Sequence, residues 1–536
     1  MKERIDAMSV AERIRFLMGT ATETAFAERL GIRAHLVARY LGGEMVPDPC
    51  ALVHISGSCE VTLEWLLRGP ASNGGKRAER KEVAAGSGPR AVPPPVNAVL
   101  NHDALAAVRN FVSNSFLVDI VREEIQQWMK AGAVNSKDPL AEIARQTASR
   151  ALALCLPRRD CINATGIIIH TGWGNAPLHS LARRRVTAAT GASPTGAAEA
   201  LPRLETCARL LRTLTGAEAA TVTTLNAASL LLVAGALAAG REIIIAARDL
   251  VEISQGARIS DILQSVGARV VSVGSANCVY VQDYARAITP QTAMVMRIRV
   301  SNMATSGYIA HVTGPDLAAL AEKNNLIYVD NLGGGSLVDI TGRGLPECPT
   351  LQQGVADNAH LVLASGDKII GGPQAGIIVG KKDYVSRISH HVLARICRPA
   401  KLTLAALEAT LAVYITGRAW DEMPTLRLLA SPPEGLSQRA NAIGKVLFAA
   451  GIEATVSADT TECGGAVLPG VLLPTWTIQI KHPRLTEDQL YDVLLARGVV
   501  ARRAQGKVIL DLRSVLPEDD SLLLRGIVDS NDPDGQ

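Results

Sequence analysis

Aromatic side chains are scarce in this sequence of 536 residues, at 3% of positions, which argues against a single-strand nucleic-acid platform built on base stacking. A charge excess of one sign is also missing. The 55 Lys and Arg stand against 51 Asp and Glu, a formal +4, so any polyanion contact has to come from local patches. The nine cysteines, Cys50, Cys59, Cys155, Cys161, Cys207, Cys278, Cys348, Cys397 and Cys463, are odd in number, widely spaced and without a C-x-x-C pair. Neither a disulfide framework nor a metal site is predicted. The most apolar run, Leu225 to Ala239, holds Asn226 and Ser229 and falls short of the roughly 20 residues of a membrane span. The opening MKERIDAMSVAERIRFL is too charged for a secretion signal. A cytoplasmic protein without membrane contact is expected.

What is present is a globular composition, 48% hydrophobic and 20% charged, in a chain long enough for several domains at roughly 100–200 residues each. Residues 1–69 read as a compact helical block. Residues 70–95 combine Gly, Ser, Ala, Pro and basic residues without apolar periodicity and read as a linker with a stiff end at Pro93–Pro95. Helical spacing returns over 96–160, with Val108, Phe111, Phe116, Val118 and Ile120 among charged positions. From 161 to 420, β-branched runs (Ile167–Ile169, Ile243–Ile245, Val270–Val273, Met294–Val300, Leu326–Val329, Leu361–Leu363, Ile377–Val379) alternate with helical stretches such as 225–239, 256–265 and 315–324. That alternation predicts a wound α/β sheet. A helix at 435–450 and strands at 474–480 and 506–512 predict a smaller α+β domain over 421–536.

Three strand-end elements carry candidate chemistry. Ala364-Ser365-Gly366-Asp367-Lys368 follows a buried strand, and Gly371–Gly376 precedes the next one. A lysine held there, with its pKa lowered by burial, can form a Schiff base with a carbonyl cofactor; the bland alternative is a surface turn lysine. Leu225-Asn226-Ala227-Ala228-Ser229 opens a long helix after the strand Ala220–Val222, where backbone N–H groups and the helix dipole can hold a phosphate. Asp330-Asn331 closes Leu326–Val329 before Gly333-Gly334-Gly335, which puts a carboxylate where a pyridinium nitrogen could be paired. Phosphate turn, acid and lysine in that order are the parts of a pyridoxal 5′-phosphate (PLP) enzyme with an aminotransferase-like fold.

At these residues the sequence resembles the bacterial selenocysteine synthases, or L-seryl-tRNA(Sec) selenium transferases. The resemblance runs over about 96–525 and rests on Ile162–Gly166 through His170-Thr171, Leu214–Ala220, Leu250–Ile253, Gly333–Leu337, Ser365–Lys368 with Gly371–Gly376, Lys401–Thr410 and Leu510–Arg513. It implies an α/β, fold type I transferase with PLP on Lys368, a tRNA-binding helical domain at 96–160, and a homo-oligomer, a dimer or larger ring. It also implies that Arg395 and Arg398 grip an anionic donor or leaving phosphate, as guanidinium forks do. Asp367, Ser365, Asn226, Ala227, Ala228, Ser229, Asp330 and Asn331 complete the candidate set.

Departures bear on the reaction. Where the family carries a third anion-binding arginine, His170-Thr171-Gly172-Trp173-Gly174-Asn175 places an asparagine, and the following GASPTGAAEALPRLE over 191–205 lacks the family's run. The family's aspartate before its Leu-Gly-Ser-Gly falls on Asn331, with Asp330 one place earlier. Successive strand residues face opposite sides, so Asp330 would face the wrong way unless the turn shifts, and an asparagine weakens the electron sink.

In the first block, Thr22–Leu30, Gly31-Ile32 and Arg33–Leu41 read as helix, turn, helix, with Ala27, Ile32 and Leu36 at the contact. Together with Trp65-Leu66-Leu67-Arg68-Gly69 this resembles a lambda-repressor-like domain of the phage CI type, which implies duplex DNA as partner through Arg33, His35 and Arg39. Eight Lys and Arg against nine Asp and Glu over 1–69 leave a plain docking module open. Two functions follow: a PLP enzyme that eliminates and replaces a β-substituent on an aminoacyl substrate, fused to a DNA-binding domain, or a transcription regulator whose PLP domain senses an amino compound.

Overall fold

The computed structural model describes residues 14–15, 17–18, 21–30, 34–41, 55, 93–109, 112–130, 138–155, 161–174, 176–191, 202–254, 256–304 and 306–528. The chain divides into two compact units, Met1–Leu156 and Pro157–Gln536.

In the first unit, α1 (Glu23–Leu30) and α2 (Ala34–Leu41) occupy the two predicted helical stretches. Val37, Tyr40 and Leu41 stand at i, i+3 and i+4 on α2 and close a small core with Phe26, Ala27, Ile14 and Ile55. Arg39 is exposed on α2. Arg33, the side chain of His35, Trp65–Gly69 and the linker up to residue 92 lie outside the described residues. Next come α3 (Val96–Asn101), α4 (Asn114–Lys130) and α5 (Pro139–Cys155). Leu117, Ile120, Val121, Ile125 and Trp128 of α4 form a 3.6-residue stripe against Ile143, Ala144, Ala148 and Ala151 of α5. Glu124 is buried on the same stripe because Arg150 meets it at 2.8 Å and Glu123 at 2.5 Å. Phe116, one of the apolar positions of the predicted helical spacing, is exposed. It precedes the inward-facing Leu117 and falls off the stripe.

The strands of the second unit are β1 (Ile162–Ala164), β2 (Ala219–Thr223), β3 (Glu242–Ala246), β4 (Glu252–Ser254), β5 (Ala257–Arg258), β6 (Arg269–Val273) and β7 (Thr292–Ile298). They continue with β8 (Ile327–Asn331), β9 (Leu361–Ser365), β10 (Gly376–Gly380), β11 (Glu453–Glu462), β12 (Leu472–Lys481), β13 (Val499–Ala504) and β14 (Lys507–Asp511). Among its helices are α6 (Ser180–Thr190), α7 (Arg203–Thr215), α8 (Asn226–Leu237), α9 (Gly314–Lys323), α10 (Lys401–Ile415) and α11 (Pro433–Ala449).

Seven strands form the large sheet in the order β2-β10-β9-β8-β7-β3-β6. They are parallel except β10, which is antiparallel to both neighbours. Residues along each strand alternate between two cores. Ile244, Val295, Tyr328 and Val362 face α7, α9 and α10, while Ile243, Ile245, Met294, Val329 and Leu363 face α8. Both faces are covered, which is why the strands read as continuous apolar runs rather than as alternating ones.

The smaller sheet has the order β1-β13-β14-β12-β11 and packs on Leu436, Ala440, Ile443 and Leu447 of α11. Its edge strand β1 runs parallel to β13. The segment at 161–420 therefore gives its first strand to the C-terminal sheet, a pairing across more than 330 residues that local pattern cannot show. The predicted strand Ile167–Ile169 is absent apart from a single bridge between Ile169 and Gly464. Gly166, at φ +88°, turns the chain out of the ladder, and a Cβ there would meet Asp511 Oδ2 at 2.2 Å. The β-branched run signals burial, with Ile168 and Ile169 in the core. Leu510–Arg513 is likewise architectural. Asp511 accepts from Thr475 at 2.5 Å and Arg502 at 2.9 Å, and the buried Arg513 donates to the carbonyls of Leu428 and Ser431.

Candidate active site

The C-terminal ends of β2, β7, β8 and β9 reach one edge of the large sheet, the usual ligand edge of an open α/β sheet. A cavity of about 300 Å³ lies there, and its walls include Asn226, Arg299, Ser301, Asn331, Asp367 and Lys368. Four segments far apart in sequence thus share one space.

The helix α8 begins at this cavity with Leu225 as its N-cap, and no side chain caps it. Leucine has no acceptor to offer, so the first-turn N–H groups of Asn226, Ala227 and Ala228 are left for an anion. Asn226 and Ala227 line the wall, whereas Ala228 packs toward the α8 core. Ser229 does not reach the cavity; it is buried, with its hydroxyl 2.7 Å from that of Thr223. Gly376 on β10 makes this packing possible, because a Cβ there would come within 2.3 Å of both Ser229 Oγ and Thr223 Oγ1.

Lys368 follows β9 on a turn closed by Gly371 N–H to the Lys368 carbonyl at 2.9 Å and by Gly366 N–H to the Ala375 carbonyl at 2.8 Å. Its Nζ is 3.5 Å from Ser301 Oγ and 3.4 Å from the Ala466 carbonyl. Burial pushes the ammonium pKa down, and the adjacent Asp367 partly opposes this. The amine is therefore more readily neutral than an ordinary lysine, as a nucleophile requires. Asp367 is buried and accepts a short hydrogen bond from Ser365; both line the cavity.

At the end of β8, Asn331 faces the cavity and Asp330 does not. Asp330 is fully buried on the opposite side, bonded to Arg297 Nε at 2.9 Å and Arg299 Nη2 at 3.3 Å. The prediction of Asp330 as a ring partner is corrected: strand alternation turns it to the arginines. Asn331 accepts from Asn226 at 2.9 Å, and the buried Asn226 Oδ1 has no protein partner. An uncapped helix start, an unpartnered buried carbonyl and a desolvated amine around one space match a cofactor with a phosphate, a polar ring and a carbonyl. The residues fit PLP.

Arg395 and Arg398 are not brought to the cavity. Both are exposed, Arg395 within the short helix Val392–Ile396. The segment is tied beside the start of α8, since Thr224 N–H donates to the Cys397 carbonyl at 2.8 Å. Asn175 lies outside the described residues. Sequence reasoning missed Arg299, Ser301 and the Gly465-Ala466 loop. The last had a signal in its glycine pair, and Ala466 does adopt φ +54°. Among the described residues no cluster could hold a metal ion, and no helix is long and apolar enough to cross a membrane.

With this geometry in hand, similarity to known proteins becomes specific. Residues 161–516 match the family described as L-seryl-tRNA selenium transferase. The L-seryl-tRNA(Sec) selenium transferase of Moorella thermoacetica is 36% identical over 450 residues, covering 81% of this chain and 95% of that protein. The one from Geobacter sulfurreducens is 38% identical over 390 residues, covering 70% and 83%. That of Yersinia enterocolitica is 37% identical over 383 residues, covering 68% and 82%. The chain belongs to the L-seryl-tRNA selenium transferase family, PLP-dependent transferases with the aminotransferase-like fold.

Proposed function

We propose that the chain is a PLP enzyme that eliminates and replaces a β-substituent on an aminoacyl substrate, with Lys368 as the attachment residue. The observation that carries this reading is the desolvated Lys368 amine sharing one cavity with the uncapped start of α8. Bound PLP supplies an electron sink for chemistry at the substrate's α-carbon. The N–H groups of Asn226, Ala227 and Ala228 hold the phosphate, and Asn331 with Asn226 orients the ring. Lys368 Nζ takes and returns the α-proton, and the Gly465-Ala466 loop covers it from solvent. Arg395 and Arg398, being exposed, suit an anion site completed by a neighbouring copy in a homo-oligomer. Residues 96–160 are the candidate tRNA contact.

Complementation of a strain lacking its selenocysteine synthase tests the reaction. With Asn175 in place of an arginine, one charge-assisted contact worth about 1.5–3 kcal/mol is lost. Transfer should fall roughly ten- to a hundredfold if that contact forms only in the transition state. Full rescue would show that the altered 191–205 segment preserves the chemistry.

A second reading, a regulator that senses an amino compound, is favoured by Asn331 standing on the cavity wall where a carboxylate would strengthen the sink. It needs DNA binding by residues 1–69, where α1 and α2 supply the helix pair. Two copies joined through the linker raise effective concentration and offset the weak charge of one module. Full-length protein should enrich specific genomic fragments in a salt-sensitive manner, and Arg33→Ala, His35→Ala and Arg39→Ala combined should abolish the enrichment. Equal recovery by both proteins leaves the block a docking module.

A further inference from the structure

The hydrogen bonds around Asn331 determine what a ring nitrogen in this cavity meets. An amide's two ends are told apart by their partners. The Gly333 backbone N–H, which can only donate, lies 3.2 Å from Asn331 Oδ1. Asn226 Nδ2 donates to the same oxygen at 2.9 Å, and this in turn leaves Asn226 Oδ1 as the unpartnered acceptor. With both lone pairs of Oδ1 engaged, what Asn331 offers the cavity is Nδ2, a donor. Arg299 shares the wall; its Nε is buried without a hydrogen-bond partner and its charge is only partly met by Asp330 at 3.3 Å. The strand-end carboxylate, Asp330, faces the other side. Asp367, the acid that does line the cavity, is held by Ser365 and adjoins Lys368 in the chain. It therefore belongs to the carbonyl end, and the ring nitrogen lies across the ring from the carbon that bears the carbonyl.

We infer that this site holds PLP with its ring nitrogen unprotonated, as the acceptor of the Asn331 Nδ2 hydrogen bond. The inference rests on Lys368 as the attachment residue. A protonated ring would set its N–H against the Asn331 N–H beside a guanidinium and forfeit that bond, with Asn226 Oδ1 the unpartnered acceptor left to it. An unprotonated ring withdraws less electron density from the substrate, which disfavours transamination and leaves loss of a good β-leaving group as the reaction class the site suits best.

Full-length protein loaded with PLP isotopically labelled at the ring nitrogen provides the test by solid-state nuclear magnetic resonance at neutral pH. Wild type should show a neutral-pyridine resonance, and Asn331→Asp should move it upfield into the pyridinium range. Aspartate keeps both accepted hydrogen bonds and puts a carboxylate oxygen where Nδ2 was; an unchanged urea midpoint checks its fold. A pyridinium resonance in wild type overturns the inference. So does a pyridine resonance in folded Asn331→Asp, because Asn331 would then lie away from the ring nitrogen. Failure of Lys368 itself is distinguishable: borohydride treatment would fix no label to that residue, and both readings would fall together.

Discussion

Lys368→Ala is expected to be colourless after incubation with PLP and dialysis, whereas the wild-type chain stays yellow and, after borohydride reduction, holds the cofactor covalently. The substitution removes the amine that faces the cavity together with the α8 start. Any transfer or elimination activity should fall by about 10²–10⁴, the typical contribution of a positioned acid–base group. Lys368→Arg should not restore it, because a guanidinium stays protonated. The pH dependence has a defined sign. Burial lowers the Lys368 pKa from an ordinary 10.5, which favours the neutral amine. Attachment should therefore speed up as pH rises through the depressed value and level off before surface lysines begin to react. Equal borohydride-fixed PLP on wild type and Lys368→Ala would place the attachment on another lysine.

Asp330→Ala is expected to produce a large loss of stability without loss of cofactor. Removing one partner of a buried ion pair costs about 3–5 kcal/mol because the other charge is left uncompensated. Here the deserted groups are Arg297, 12% exposed, and Arg299, 27% exposed. Burial alone pushes the Arg297 guanidinium down, and its hydrogen bonds to Asp330 more than restore it. The urea midpoint should drop steeply, while PLP still attaches to whatever remains folded, since Asp330 faces away from the cavity. Its neighbour Asn331→Asp should do the reverse, leaving the midpoint unchanged and altering the cofactor's protonation. A wild-type midpoint for Asp330→Ala would mean that Asp357, 3.7 Å from Arg297, suffices to hold the arginines.

Much of the wound sheet was legible in the sequence. The runs at 243–245, 270–273, 361–363 and 377–379 lie within β3, β6, β9 and β10, and the helical stretches at 225–239 and 315–324 match α8 and α9. Each is a local signal of burial or period. The reading failed at Ile167–Ile169, where a β-branched run marks core and not ladder.

The sequence by itself singled out Lys368, the helix start at Asn226 and the alternation that puts Asp330 and Asn331 on opposite sides. A strand's period is a property of adjacent residues, and a helix start after a strand is read from a few positions. Only the tertiary structure decided which of the two faces the cavity, because that depends on Arg297 and Arg299 lying beside Asp330 from the neighbouring strand β7. Tertiary structure alone also brought Ser301 and Ala466 to Lys368 and left Arg395 and Arg398 in solvent. It placed β1 in the C-terminal sheet as well. Such contacts join segments tens to hundreds of residues apart, so their energies depend on packing and pairing that no local window of sequence contains.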